Sequence, residues 1–207
     1  MGSLIALGVL GTLLAIVLMQ LFKKQPAPST PAPDLANLKV TDAHSGDALS
    51  ISGAGDKYTD LDFTVDRTTR FEGGSRRWFE VSGPYQERRV TLRVGGDEEV
   101  EVSLHSDARK LSIDDLGLSE DDLAQIDERQ NTSDNFSFDD KVWLYRLSRE
   151  VQAVRDDQPA PFGFYYWEFE EQNGKGLLAL RKSGGEPFAV TLFTRIPASD
   201  VTIYRGR

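Results

Sequence analysis

Residues 35–207 show one dominant pattern: apolar and polar side chains alternate with a period of two over short stretches that end at glycine-containing pairs. Such alternation is typical of β-strands that bury one face. Pairs such as Gly73-Gly74 and Asn173-Gly174 favour two-residue hairpin turns, because glycine and asparagine accept positive φ. The pattern predicts strands at 49–51, 62–65, 76–81, 89–94, 99–104, 162–170, 177–181 and 188–194. We therefore expect a mainly β domain, either a β-sandwich or a partly open barrel.

One segment departs from the alternation and predicts a single short helix. Ser119 stands three positions before Asp122 at the start of EDDLAQIDER, which is the spacing of a helix-capping box with an acidic first turn. Residues 141–154 fit a helix face as well as strand alternation. Aromatic residues, which favour strands, occur in their first half at Trp143 and Tyr145, so we expect a strand there.

Two parts of the domain resemble each other. The sequence VTLRVGG begins at Val90 and LALRKSGG begins at Leu178, and each joins a short strand, an arginine, a glycine pair and a second strand. Trp78 and Trp167 lie in the strands that precede them. Common hairpin composition would produce part of this likeness, whereas a duplication would produce all of it. The second interpretation predicts two similar β units, at about 45–113 and 136–204.

The N-terminal segment predicts a single transmembrane helix at 1–24. Its stretch 4–22 carries no charge, and 19 residues at about 1.5 Å each match the roughly 30 Å hydrocarbon core of a bilayer. A cleaved signal peptide is the alternative, but it requires basic residues before the apolar run, and Lys23 and Lys24 follow it instead. The same lysines predict that the main domain lies in the cytoplasm. Residues 25–34 form a proline-rich linker between the anchor and the domain.

The composition excludes several classes of function. The net charge is −9 over 207 residues, which argues against nucleic acid as a partner. There is no cysteine, so thiolate catalysis and zinc-thiolate sites are excluded. His44 and His105 lie far apart in sequence, and the acidic clusters lack the spacing of a calcium loop. The sequence therefore predicts no catalytic residue, no cofactor and no metal ligand.

The basic hairpin RFEGGSRRWFEV, which begins at Arg70, is the first candidate contact surface. With a turn at Gly73-Gly74, Arg70 would lie opposite Arg77, and like charges across a β-ladder repel. Water could screen the pair, or an anion could use it. In the second interpretation Arg70, Arg76 and Arg77 form a positive tip that contacts anionic lipid or an acidic protein.

The aromatic strand FGFYYWEFE at 162–170 is the second candidate surface. Tyr166 and Trp167 would belong to a platform for a partner or a ligand. The alternative is a strand that buries the face carrying Trp167 and Phe169 in the core.

Several of these motifs together resemble a bacterial protein family of unknown function, over most of residues 45 to 204. The resemblance rests on Gly53-Ala54-Gly55-Asp56, Arg70-Phe71-Glu72-Gly73-Gly74, Trp78, Glu80, Tyr166-Trp167-Glu168-Phe169-Glu170, Gly174, Leu177-Leu178-Ala179-Leu180 and Ile196-Pro197-Ala198-Ser199-Asp200-Val201. Genes of that family tend to lie beside genes for phage-shock-protein-A-like proteins and aminopropyltransferase-like enzymes. The resemblance implies a role at the bacterial inner membrane, in envelope stress, and it supplies no catalytic residue.

Three hypotheses of function follow. The first is a noncatalytic, membrane-anchored cytoplasmic β domain that binds a protein partner or organises a membrane-associated complex. The second is a small-molecule sensor, which a dry apolar cavity near Trp167 would favour. The third is an enzyme with buried carboxylates, which requires two convergent acids of shifted pKa in a deep pocket.

Overall fold

The structure, a computed structural model, describes residues 38–96 and 99–206, apart from the side chain of Pro159. The predicted transmembrane anchor at 1–24 and the proline-rich linker at 25–34 lie outside these residues. Within the described part of the chain, no helix is both long enough and apolar enough to cross a membrane.

The described residues form strands and a few short helical segments. The strands are β1 Ala48–Ile51, β2 Leu61–Thr64, β3 Arg67–Gly73, β4 Arg76–Tyr85, β5 Arg88–Gly95, β6 Glu101–His105, β7 Asn135–Phe138, β8 Lys141–Arg155, β9 Gln158–Glu171, β10 Gly176–Lys182, β11 Ala189–Ile196 and β12 Val201–Tyr204. The α-helix α1 spans Glu120–Arg129, and 3-10 turns occur at Val40–Asp42, Asp56–Tyr58, Asp114–Leu116 and Ala198–Asp200.

Eight of the strands close into a barrel. Their order is β3-β4-β5-β6-β11-β10-β9-β8, and the end of β8 pairs antiparallel with β3 to complete the ring. At this seam Phe71 lies opposite Ala153, and both side chains are buried. β7 pairs with the beginning of β8. The predicted mainly β fold with one short helix is confirmed among the described residues. The barrel is closed rather than partly open, because the seam leaves no free edge between β3 and β8.

The barrel consists of two four-stranded antiparallel meanders, β3–β6 and β8–β11. The first strands of the meanders pair with each other, and so do the last strands, β6 and β11. This is the arrangement expected of two similar β units, and their common origin stays a prediction. Trp78 and Trp167 are not equivalent within it. Trp78 packs with residues of the barrel interior, whereas Trp167 packs on the outer wall.

A three-stranded sheet, in the order β12-β1-β2, covers the outer face of one meander. Its alternating apolar residues, such as Leu49 and Phe63, share a core with Val81 and Leu92 of the barrel wall. The two layers are in close contact at Gly83, where an added Cβ would lie 2.1 Å from the carbonyl oxygen of Thr64. Glycine is therefore required there by space.

Helix α1 covers the outer face of the other meander. Its N-terminus is the predicted capping box: the Ser119 hydroxyl accepts from the backbone N–H of Asp122, and the Asp122 carboxylate accepts from the backbone N–H of Ser119 at 2.8 Å. Leu123 and Ile126 then pack into a cluster on the barrel wall that includes Trp143, Tyr145, Trp167 and Phe169. The predicted helix of ten residues is confirmed, including both of its ends.

Residues 141–154 lie in one continuous strand, and a β-bulge explains their ambiguous pattern. The pairing with β9 shifts by one residue between Tyr145 and Leu147. Before the bulge, Trp143 and Tyr145 belong to the outer cluster; after it, Leu147 and Val151 face the barrel interior. A change of face within a strand imitates the helical spacing of apolar residues. The prediction of a strand for the first half is confirmed, and the strand extends through the second half.

Candidate binding sites of the barrel

Strand alternation fills the barrel interior with aromatic and aliphatic side chains. Phe71 stacks on Trp78 with ring centroids 5.1 Å apart, and Trp78 lies 5.3 Å from the ring of Tyr166. The same cluster contains Leu147, Val151, Phe164, Leu177 and Phe193. A barrel of eight strands has an interior just wide enough to be filled in this way or to hold one small ligand.

A buried ion pair crosses this interior between the two meanders. Arg93 of β5 donates to the Glu168 carboxylate of β9 at 2.8 Å and to the Tyr166 hydroxyl at 2.7 Å. Tyr166 in turn donates to Glu168 at 2.9 Å, and Arg76 lies 3.4 Å from the other carboxylate oxygen. Arg93 also lies over the Trp78 ring, 4.9 Å from its centroid. Glu168 is therefore surrounded by donors.

A second ion pair crosses the interior in the opposite sense. Arg181 of β10 donates to Glu80 of β4. Its guanidinium lies 4.8 Å from the centroid of the Phe71 ring and 5.6 Å from that of Phe164. In both pairs the arginine comes from the third strand of one meander and the glutamate from the second strand of the other. Exchanging the two meanders, strand for strand, therefore converts the Arg93–Glu168 pair into the Arg181–Glu80 pair.

The electrostatics of Glu168 decide what chemistry this carboxylate can perform. Burial is the largest single influence and raises the pKa of Glu168, but Arg93, the Tyr166 hydroxyl and Arg76 together outweigh it, and the net pKa lies below its ordinary value. Burial is also the largest influence on Tyr166, and it raises the pKa of the hydroxyl. At neutral pH the site therefore holds a carboxylate and a neutral phenol. A general acid requires a carboxyl whose pKa is raised, which is the opposite arrangement.

Each end of the barrel opens into a polar cavity. The first, named the Arg76 mouth, encloses about 380 Å³ and is lined by Arg76, Trp78, Arg93, Glu101, Ser103 and Glu168, among others. The second, named the Arg67 mouth, encloses about 240 Å³ and is lined by Arg67, Phe71, Glu80, Arg89, Arg155, Phe162 and Arg181, with Thr69, Ser82 and Thr91.

The basic hairpin has a different register from the one predicted. Its turn residues are Gly74 and Ser75, so Glu72 lies opposite Arg77, and Arg70 lies opposite Phe79. Arg77 ion-pairs with Glu72 at 3.0 Å, and both side chains are largely exposed. The predicted repulsion between Arg70 and Arg77 is therefore wrong. In the observed register Arg67 lies opposite Ser82, and Glu80 binds Arg181 across the barrel.

The shift in register divides the three arginines between two faces. Arg70 and Arg77 lie on the outer wall, whereas Arg76 reaches inward to Glu168. Tyr166 and Trp167 are only 1% and 7% exposed and face opposite sides of β9, so they add no exposed platform to the arginines. The structure does join Arg76 to Tyr166, because both contact the Glu168 carboxylate.

The outer wall carries a groove of about 640 Å³, named the outer groove, at the strands β3, β4 and β8. One row of its floor runs from Val154 through Arg70 to Phe79, which are neighbours across the three strands. Val154 is 41% exposed, and Val100, at the rim, is 50% exposed. Within the described part of the chain, neither Arg70 nor Val154 is buried by the three-stranded sheet or by α1.

Sequence reasoning did not predict the two crossing ion pairs, although Glu80 and Glu168 belong to the motifs named above. A signal was present: Arg93 and Arg181 are the arginines that the two similar segments share. Alternation places Arg93 on the strand face opposite its buried neighbours Leu92 and Val94, and closure of the barrel buries that second face as well. Comparison of the chain with protein-family models, with curated proteins and with solved structures finds no match in any of the three.

Proposed function

We propose that the protein is a noncatalytic, membrane-anchored barrel domain that binds a protein partner through the outer groove. In this proposal residues 1–24 anchor the chain in the bacterial inner membrane, residues 25–34 form a tether, and the barrel lies in the cytoplasm. The single observation that carries the binding role is the outer groove itself. Exposed apolar side chains that line a concave surface mark sites of protein interaction.

The chemistry of the groove defines the partner as a segment with apolar and acidic side chains. Val100 and Val154 offer apolar contacts to an inserted side chain. Arg70 is exposed, and among the described residues it has no hydrogen-bond or ion-pair partner. Arg77 is 77% exposed, and within the described part of the chain its one ion pair is with Glu72. A chain with a net charge of −9 repels most acidic partners, so a local positive site directs such a segment to the groove.

The proposed family membership adds the cellular setting. In the family that the sequence resembles, genes tend to lie beside phage-shock-protein-A-like genes, and on that resemblance we place the protein in an inner-membrane complex that responds to envelope stress. The tether holds the barrel near the bilayer, and this raises the effective concentration of the groove for a membrane-associated partner. A weak groove contact is then sufficient for assembly.

A photocrosslinking experiment on intact membranes tests the binding role. A photoreactive amino acid replaces Val154 in the full-length chain, and a matched chain carries it at Tyr58, which is 93% exposed and does not line the groove. We expect a discrete crosslinked protein from position 154 only. Arg70→Glu combined with Arg77→Glu should remove the crosslink, whereas Lys110→Glu combined with Lys175→Glu, which makes the same change of charge at exposed sites, should preserve it.

Two results would contradict the proposal. Equal crosslinking from positions 154 and 58 would show that the groove is not selective. Binding of the full-length chain to added vesicles of anionic lipid, abolished by the two groove substitutions, would assign the arginines to lipid instead.

The orientation of the chain in the membrane has its own test. A reporter that is active only in the periplasm, fused after Arg207, should be inactive, and periplasmic activity would reverse the proposed topology.

A further inference from the structure

The Arg67 mouth has more positive than negative groups. Four arginines line it, whereas Glu80 is the only carboxylate among the lining residues that the structure describes. Glu80 is bound by Arg181. Arg89 is bound to Asp66 through both of its terminal nitrogens, at 2.6 and 2.8 Å, and Arg155 lies 3.1 Å from Asp157. Each of these three arginines therefore has its own carboxylate.

The fourth arginine, Arg67, has no ion pair of its own among the described residues: the nearby charge that acts on it is Asp66, whose carboxylate Arg89 already binds. No described residue forms a hydrogen bond or an ion pair with its guanidinium, and its Nε is buried without an acceptor. The Nε of Arg181 is also buried without an acceptor. Buried donors without acceptors destabilise a fold unless water or a ligand supplies the oxygen. The mouth thus contains unused donor capacity and unbalanced positive charge at the same place.

The opposite end of the barrel provides an internal comparison. At the Arg76 mouth, Glu168 is shared by Arg93 and Arg76. Among the described residues that line it, three are arginines and three are glutamates, because Arg77, Glu99 and Glu101 line it as well. Positive and negative groups are therefore matched there. The two mouths are equivalent in the arrangement of strands but differ in charge balance, so an anion is expected at the Arg67 mouth alone.

We propose that the Arg67 mouth binds a small organic oxyanion, with one carboxylate or phosphoryl group attached to an apolar body. The planar guanidinium of Arg67 presents two parallel donors, the geometry that carboxylate and phosphate oxygens match. The hydroxyls of Thr69 and Thr91 line the same cavity. Phe162, which is 36% exposed, lies at the mouth to contact the apolar body. A cavity of about 240 Å³ limits the ligand to a small molecule.

Isothermal titration of the full-length chain in a non-ionic detergent tests this site. The probes are benzoate, phenyl phosphate, inorganic phosphate and benzyl alcohol, which is the uncharged control. We expect saturable one-to-one binding of benzoate or phenyl phosphate, at least tenfold tighter than that of benzyl alcohol and of inorganic phosphate. A preference for benzoate or for phenyl phosphate identifies the oxyanion. Equal binding of benzyl alcohol, or no saturable heat with either organic anion, would overturn the proposal.

Matched substitutions locate the site. Arg67→Gln should weaken binding of the organic anion at least tenfold, and Arg67→Lys, which keeps the charge but loses the second donor, should weaken it less. Arg77→Gln removes an arginine from the outer wall and should leave the affinity unchanged. If Arg67→Gln and Arg67→Lys both bind like the parent chain, the anion does not occupy this mouth. This outcome is independent of the outer groove, because Arg67 does not line the groove.

Discussion

Arg93 and Arg181 lie on corresponding strands of the two meanders, and each donates across the barrel to a glutamate of the other meander. The partners are 75 and 101 positions apart in the sequence. The ion pairs therefore connect the halves of the barrel through its interior. Two seams of backbone hydrogen bonds, between β3 and β8 and between β6 and β11, connect them along the wall. A charge buried on one half depends on the other half for its partner.

Glu168→Gln should destabilise the protein strongly. The substitution keeps the shape of the side chain but leaves the Arg93 guanidinium without its countercharge, and loss of one member of a buried pair costs about 3–5 kcal/mol. Urea denaturation measures the change in the free energy of unfolding. The double substitution Arg93→Met with Glu168→Leu should cost less than Glu168→Gln alone. A Glu168→Gln cost below about 1 kcal/mol would mean that the pair is solvated.

The contribution of Glu168 should depend on pH in a defined direction. Its pKa in the folded protein lies below the ordinary value of 4.5, so the unfolded chain binds more protons between the two values. The stability it supplies is complete above pH 4.5 and is lost as the pH falls through the folded pKa. The difference in unfolding free energy between the parent chain and Glu168→Gln should therefore be largest at neutral pH and should narrow below about pH 4. A difference that widens with acid would reverse the assignment.

Gly83→Ala should destabilise the protein although alanine is the smallest possible addition. The new methyl group would lie 2.1 Å from the carbonyl oxygen of Thr64 and 2.7 Å from the Phe63 ring, so the three-stranded sheet must move away from the barrel. Overpacking of this kind costs about 1–3 kcal/mol. Gly184→Ala is the matched control, since no atom lies within 4 Å of its added Cβ. Equal melting temperatures for the two variants would show that the layers are not in tight contact.

Arg76→Glu and Arg77→Glu should have very different effects although the residues are adjacent. The first places a second carboxylate beside the buried Glu168, so it should lower the melting temperature by several degrees. Among the described residues, the second disrupts the exposed pair with Glu72 alone, and exposed pairs contribute about 0–1 kcal/mol. Thermal unfolding followed by circular dichroism compares the two. Equal effects would contradict the placement of the two side chains on opposite faces of β4.

Short sequence motifs correctly predict those helices and turns that are determined by interactions between residues close together in the chain. Ser119 and Asp122 determine the start of α1 through hydrogen bonds within one turn, and that helix was predicted with the correct bounds. The hairpin at Gly74 shows the limit of such signals. Gly73-Gly74 and Gly74-Ser75 are both acceptable turns, and only Gly74 has a positive φ, of 60°. The stacking of Phe71 on Trp78 inside the barrel favours the second turn, and no local pattern carries that information.

Neither barrel closure nor the candidate sites could be predicted from the sequence, and one physical reason explains both. The seam at Phe71 and Ala153 and the ion pairs of Glu80 and Glu168 join residues that are distant in sequence. Alternation assigns each of these residues to a face of its strand, but it does not assign a neighbour across the barrel. The aromatic strand illustrates this: burial of the face with Trp167 and Phe169 was an open alternative, and the structure buries Tyr166 on the other face as well.

The two seams also determine how this chain must fold in time. Each meander can assemble from hairpins, which form within microseconds, but neither can bury its interior face alone. Glu168, which neutralises Arg93, can bind it only after the second meander has been synthesised and has docked on the first. Contacts of such long sequence range slow folding to the millisecond-to-second range. During synthesis, the first meander therefore exposes a charged and aromatic face to solvent until the second meander docks on it.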